Sequence, residues 1–169
     1  MTANFRDKYT MAYTISQINY ETILPIWQHK LWPSRKSEIE THSAMLHLFT
    51  EYDIGNFNLP VWYSGCYIDG RLIGVNSGHM CTDGSSRSRG LWVDPLYRGN
   101  HYGKYLLDRT IEHAIQHDAT SIWSMPRKSA WNTYKSAGFV LTADWAVSET
   151  SDANAYCYLD LKDRPCIPS

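Results

Sequence analysis

The sequence predicts a single-domain α/β protein: one mixed sheet with helices on both faces. Three observations carry this. Strand-like and helix-like segments interleave along the chain instead of falling into separate blocks. Two runs rich in branched and aromatic residues, 61–68 and 72–80, flank Asp69-Gly70, a dipeptide suited to a tight turn with positive φ. A strand, a glycine-bearing turn and a strongly amphipathic segment then follow one another between residues 88 and 117.

Taken in order, residues 1–10 read as a polar leader without the apolar stretch of a signal peptide. Residues 11–18 alternate as a first strand. Residues 20–32 form a helix with Ile23, Ile26, Trp27 and Leu31 near helical spacing and Pro25 in its first turns, stopped by Pro33-Ser34. A second helix is expected over 37–49, where Ile39, Met45, Leu46 and Phe49 are apolar. Residues 53–60, with Gly55, Asn56 and Asn58, form a loop. After the hairpin, 82–87 is a polar loop and 88–93 a strand halted by Asp94-Pro95. In the helix 103–117, Leu106, Leu107, Thr110, Ile111, Ala114 and Ile115 make one stripe. A short strand over 120–124 precedes a helix over 126–137 that stops at Gly138. Strands over 139–142 and 155–161 close the domain, which spans 11–161; residues 162–169 are a tail. Cys157, Leu159 and Leu161 share a face of the last strand.

Composition narrows the function classes. With 43% hydrophobic and 20% charged residues the 169-residue chain is an ordinary globular sequence. A net charge of −1 lacks the basic footprint that nucleic-acid binding needs. No apolar run approaches the ~20 residues of a membrane span. Cys66, Cys81, Cys157 and Cys166 show neither C-x-x-C pairing nor zinc-ligand spacing. They read as reduced thiols of a cytoplasmic protein without a metal. The seven Trp and twelve Tyr exceed what a core requires, so some rings are candidates to line a groove.

The chemistry is concentrated in residues 91–107, LWVDPLYRGNHYGKYLL. A strand-to-turn-to-helix passage directs main-chain N–H groups and the positive end of the helix dipole at one point, where an anion is stabilised. Gly99 and Gly103 allow close approach of the backbone, and Arg98 and Lys104 add charge. Such a turn is also how many helices simply begin. Spacing excludes a P-loop and a dinucleotide fingerprint. The charge run 87–89 reads as loop decoration.

These residues bear a family likeness. The stretch VDPLYRGNHYGKYLL, followed by YKSAGF, resembles the GNAT superfamily of N-acetyltransferases, whose signature is [QR]-x-x-G-x-[GA] and a later Y-x-x-x-G-F. Arg98 and Gly103 meet the first piece, with His101 where its first glycine is usual. Tyr134, Gly138 and Phe139 meet the second, and Val93-Asp94-Pro95 is also typical. The resemblance implies a mixed, mostly antiparallel twisted sheet, the acyl-CoA N-acyltransferase fold. It implies acetyl-CoA as acyl donor, a primary amine of a small molecule or peptide as acceptor, and direct attack in a ternary complex by a monomer or homodimer. Main-chain groups of Trp92 and Val93 are implied to bond the pantetheine arm. The main chain of Arg98, Gly99, Asn100, His101, Tyr102, Gly103 and Lys104 is implied to cradle the pyrophosphate. Arg127, in place of a common Asn, stands as a further contact for cofactor phosphate. Tyr134 is implied as the general acid, since a phenol with pKa near 10 is protonated at neutral pH and can donate to a departing thiolate.

The acceptor side falls to the first two helices and their loop. Trp27, Trp32, Tyr63 and His79 are candidate substrate contacts, with His29 and Arg35 beside them. A lysine-like amine is under ~0.1% neutral at pH 7, so a base or a desolvated site must assist. His79, His42 and Glu51 are candidates for that base, and a water chain is a further alternative. A non-catalytic acyl-CoA-binding module on the same fold is the competing reading.

Overall fold

The computed structural model describes residues 12–48, 51–148 and 151–164. It contains a seven-stranded mixed sheet flanked by helices and a separate two-stranded ribbon. The strands of the sheet are β1 (Tyr13–Ile18), β2 (Val61–Ile68), β3 (Arg71–Met80), β4 (Ser86–Val93), β5 (Ser121–Ser124), β6 (Val140–Leu141) and β9 (Cys157–Asp160), ordered β1-β2-β3-β4-β5-β9-β6. Only β4 and β5 run parallel; the other neighbours are antiparallel. Strands β7 (Ala146–Ser148) and β8 (Ser151–Asn154) form the ribbon, which the sequence reading had not anticipated. Ser-Asp-Ala-Asn has low strand propensity, so pairing rather than composition makes that strand.

The β2–β3 turn is as expected. Asp69 and Gly70 take φ of 50° and 76°, both left-handed, which suits a two-residue hairpin. Helix α1 (Tyr20–Ile26) starts at Asn19, whose side chain accepts from the Thr22 amide. Beyond Pro25 it widens into a π turn over Trp27–Leu31, closed by Trp32 N–H donating to the Trp27 carbonyl. The wider turn brings residues five apart onto one side, so the Trp27 and Trp32 rings meet at 5.4 Å.

Helix α2 (Tyr102–Gln116) lies on one face of the sheet and buries Tyr102, Leu106, Leu107, Thr110, Ile111 and Ala114. Helix α3 (Trp131–Ser136) packs on the same side, with Tyr134 and Phe139 joining the α2 core. The α1 face holds a second core of Ile23, Trp27, Ile39, Tyr63, Val75 and Trp92. The sheet is thus covered on both faces.

One expected element does not form. Residues 37–48 are not helical; the remainder of that expected segment, 49, lies outside the described residues, as does 11 at the start of the first strand. Side chains from elsewhere take the carbonyls a helix would use. Tyr20 Oη donates to Ile39 O, Arg89 Nη1 to Glu40 O, Tyr63 Oη to Thr41 O and Asn56 Nδ2 to Ser43 O. Local apolar spacing was overridden by these long-range bonds.

Candidate active site

The site begins with a fault in the sheet. Strands β4 and β5 pair only at Ser86–Ile122 and Arg87–Trp123; past that they part. On the other side of β4, Trp92 stands opposite Val75 and Arg89 opposite Ser77, so Gly90 and Leu91 face the single residue Asn76. This bulge bends β4 away from β5. Gly90 is required there: its φ is +80°, and a Cβ would sit 2.3 Å from Trp27 Nε1, which donates to the Gly90 carbonyl at 2.9 Å.

The opening is a cleft of about 560 Å³, within the range of small-molecule sites. It runs from the start of α2 to the end of α1. At the first end lie Tyr97, Arg98, Gly99, His101, Gly103 and Lys104. No acceptor among the described residues takes the amide hydrogens from Gly99 to Lys104, and the α2 N-terminus has no side-chain cap. Gly99 has φ +82° with open space where its Cβ would be. Gly103 serves differently: its missing Cβ lets α2 approach Thr133 of α3, 3.0 Å from the ideal Cβ position. His101 holds the left-handed conformation, φ +67°, that its motif position normally gives to glycine. The charges are partly engaged, since Lys104 pairs with Asp108 at 2.8 Å and Arg98 Nε donates to the Val93 carbonyl at 2.8 Å. Asn100 is exposed and turned to the carbonyls of Tyr97 and Arg98.

Tyr134 reaches the cleft from α3 and is 3% exposed. Burial pushes its phenol up to about 12; side-chain interactions with Ser124 and Ser88 and the charge of Arg87 act in the opposite direction. It is therefore a protonated donor at any physiological pH. Trp92 and Val93 line the cleft on β4, as expected.

The acceptor end differs from expectation. Trp32 lines the cleft. Trp27 and Tyr63 do not: both are buried in the α1 core, holding the carbonyls of Gly90 and Thr41. His79 is fully buried, also away from the cleft. Its Nε2 accepts from the Ser43 amide and its Nδ1 faces the Met80 carbonyl, so the ring is neutral with hydrogen on Nδ1. Burial lowers its pKa to about 3. His42 is buried against the Leu59 carbonyl and Glu51 is exposed; neither lines the cleft. No candidate base reaches the cleft.

Arg127 does line it, but its guanidinium is bonded to the Leu31 carbonyl at the end of α1, at 2.6 Å. Two further arginines were missed. The charge run at 87–89 is not loop decoration: Arg87 and Arg89 belong to β4 and line the cleft. Arg-Ser-Arg-Gly has the period-2 alternation of a strand, a sign that the polar Thr82–Ser86 stretch before it obscured.

A sheet parted beside a helix start, with a buried phenol in the gap, is the geometry against which the known families are compared. The model of the acetyltransferase (GNAT) family matches residues 24–139, most of the chain, and the chain belongs to that family. Solved structures share the fold. An acetyltransferase of the GNAT family from Staphylococcus aureus Mu50 is 20% identical with a TM-score of 0.61, over 89% of this chain and 100% of that one. A Salmonella typhimurium protein solved with its cofactor acetyl-CoA is 16% identical with a TM-score of 0.64, over 94% and 98%. The ribosomal-protein-S18-alanine N-acetyltransferase from Escherichia coli is 17% identical with a TM-score of 0.58, over 91% and 97%. A search by sequence among curated proteins gives no match.

Proposed function

We propose that the protein transfers an acetyl group from acetyl-CoA to a primary amine, with Tyr134 as general acid. The observation that carries this is the parting of β4 from β5, with unengaged amides at one end and a buried phenol facing the gap. The main chain from Arg98 to Lys104 suits a pyrophosphate, because donors and helix dipole converge there and Gly99 leaves room. Strand β4 at Trp92 and Val93 offers ladder groups that β5 does not take, which suits the amides of a pantetheine arm. The Salmonella protein of the same fold supports acetyl-CoA as donor.

In this reading a neutral amine attacks the thioester carbonyl, the C–N bond forms, and the C–S bond breaks. Tyr134 gives its proton to the sulfur and regains one from solvent, while the amine proton leaves through water. No covalent enzyme intermediate is needed.

Two measurements test this. Calorimetry should detect acetyl-CoA binding. Release of thiol with an accepted amine should fall at least tenfold in Tyr134→Phe, since general acid catalysis typically contributes roughly 10²–10⁴-fold, with acetyl-CoA affinity within threefold of the parent. Full turnover in the variant, where chemistry limits the rate, rejects the acid role.

A further inference from the structure

The cleft is lined by Arg87, Arg89, Arg98, Lys104 and Arg127 and, among the described residues, by no aspartate or glutamate. Arg98 and Lys104 stand at the α2 end, one on a carbonyl and one on Asp108. Of the other three, Arg89 and Arg127 lie beside Trp32 and Leu31 at the end of α1, and Arg87 precedes Arg89 on β4. Arg89 lies 5.4 Å from the Trp32 ring and 5.0 Å from Trp27, and gives Nη1 to the Glu40 carbonyl. Arg35 covers Trp32 at 5.6 Å.

Arg87 is the unusual one. It sits 4.7 Å over the Trp123 ring, its Nε is buried without a hydrogen-bond partner, and no described carboxylate pairs with it. Arg87 is half-buried at the cleft wall, and a desolvated Nε with neither counterion nor acceptor is unfavourable, so the group calls for an anion. Arg87 and Arg89 alternate on one face of β4; burial lowers both, Arg87 to about 10 and Arg89 to about 9, the latter also through the like charge of Arg87.

We propose that the acceptor is a small amine carrying a carboxylate, of the amino-acid class, whose carboxylate is held by Arg87 and Arg89. This rests on the acetyl-transfer reading above and names its substrate. Guanidinium forks match the two oxygens of a carboxylate. The same charges repel an ammonium and lower an amine's pKa. That accounts for a cleft with no carboxylate among its described lining residues: the arginines that hold one end of the acceptor also keep its amine neutral. A polyamine or an exposed lysine side chain is disfavoured by the same field.

The test compares the twenty common amino acids with the corresponding amino-acid amides as acceptors, with acetyl-CoA, by thiol release. Each amide presents the same amine without the carboxylate. The best acid should exceed its amide by about 100-fold in kcat/KM, the scale of losing a buried charge pair. In Arg87→Gln the ratio should fall below tenfold, mainly through KM, and Arg87→Lys should restore part of it. Acetyl-CoA affinity within threefold of the parent shows that the variants are folded. Amides or polyamines used as well as acids overturn the proposal, as does equal loss with acid and amide in Arg87→Gln. If the parent binds no acetyl-CoA, the acetyl-transfer reading itself fails, an outcome distinct from acetylation without preference for acids.

Discussion

His101 shows how one position keeps a motif's backbone while losing its residue. The turn needs a left-handed conformation there, and a Cβ in that conformation costs roughly 1–2 kcal/mol. Histidine tolerates it better than most residues. His101→Gly relieves that strain, while the freer unfolded chain takes back about 0.4–1 kcal/mol. The expected result is a melting temperature higher by roughly 1–4 °C, with acetyl-CoA affinity equal or tighter. A fall in melting temperature would mean that the imidazole makes a stabilising contact in place of glycine's freedom. The Tyr134 phenol illustrates the opposite case, a residue singled out by its spacing from Gly138 and Phe139, which is itself the motif, and found lining the cleft.

Strand β4 concentrates the site's demands into a single element. It pairs with β3 on both sides of a bulge at Gly90, separates from β5, and carries Arg87 and Arg89. Gly90→Ala places a methyl group into the Trp27 ring and forces φ +80° on a residue with a Cβ. Destabilisation of about 2–4 kcal/mol in urea unfolding is expected, from strain and overpacking together. An unchanged midpoint would show that Trp27 can move aside at little cost. The element order was legible in sequence wherever periodicity and turn chemistry agree, as at Asp69-Gly70 and along α2. It was not legible where distant side chains decide the backbone. Residues 37–48 look helical by apolar spacing, yet Tyr20, Tyr63 and Arg89 hold their carbonyls. The same limit applied to the site: the glycine-bearing turn before α2 lies in contiguous residues, whereas Trp27, Tyr63 and His79 could be placed in core or cleft only by the tertiary fold.

At the scale of the whole molecule, buried and half-buried imidazoles tie stability to pH. Burial lowers the pKa of His42, His47, His79 and His113, His79 to about 3. Below about pH 6.5 the unfolded chain binds protons that native His79 refuses, so stability is present above that value and lost as pH falls toward 3. For His79 alone the loss between pH 7 and pH 5 is about 2 kcal/mol at 1.36 kcal/mol per unit. Urea midpoints at the two values check this, and His79→Gln should flatten the difference. Equal midpoints would mean that native His79 takes up its proton freely. The parting of β4 from β5 has a consequence of its own. It leaves the sheet as two leaves, β1 to β4 and β5-β9-β6, stitched by two residue pairs along a short seam. An extended ligand lying in that seam supplies missing rungs to both leaves at once. Deuterium uptake at the facing edges of β4 and β5 should therefore slow together when acetyl-CoA is added, so that the donor acts as a removable strand.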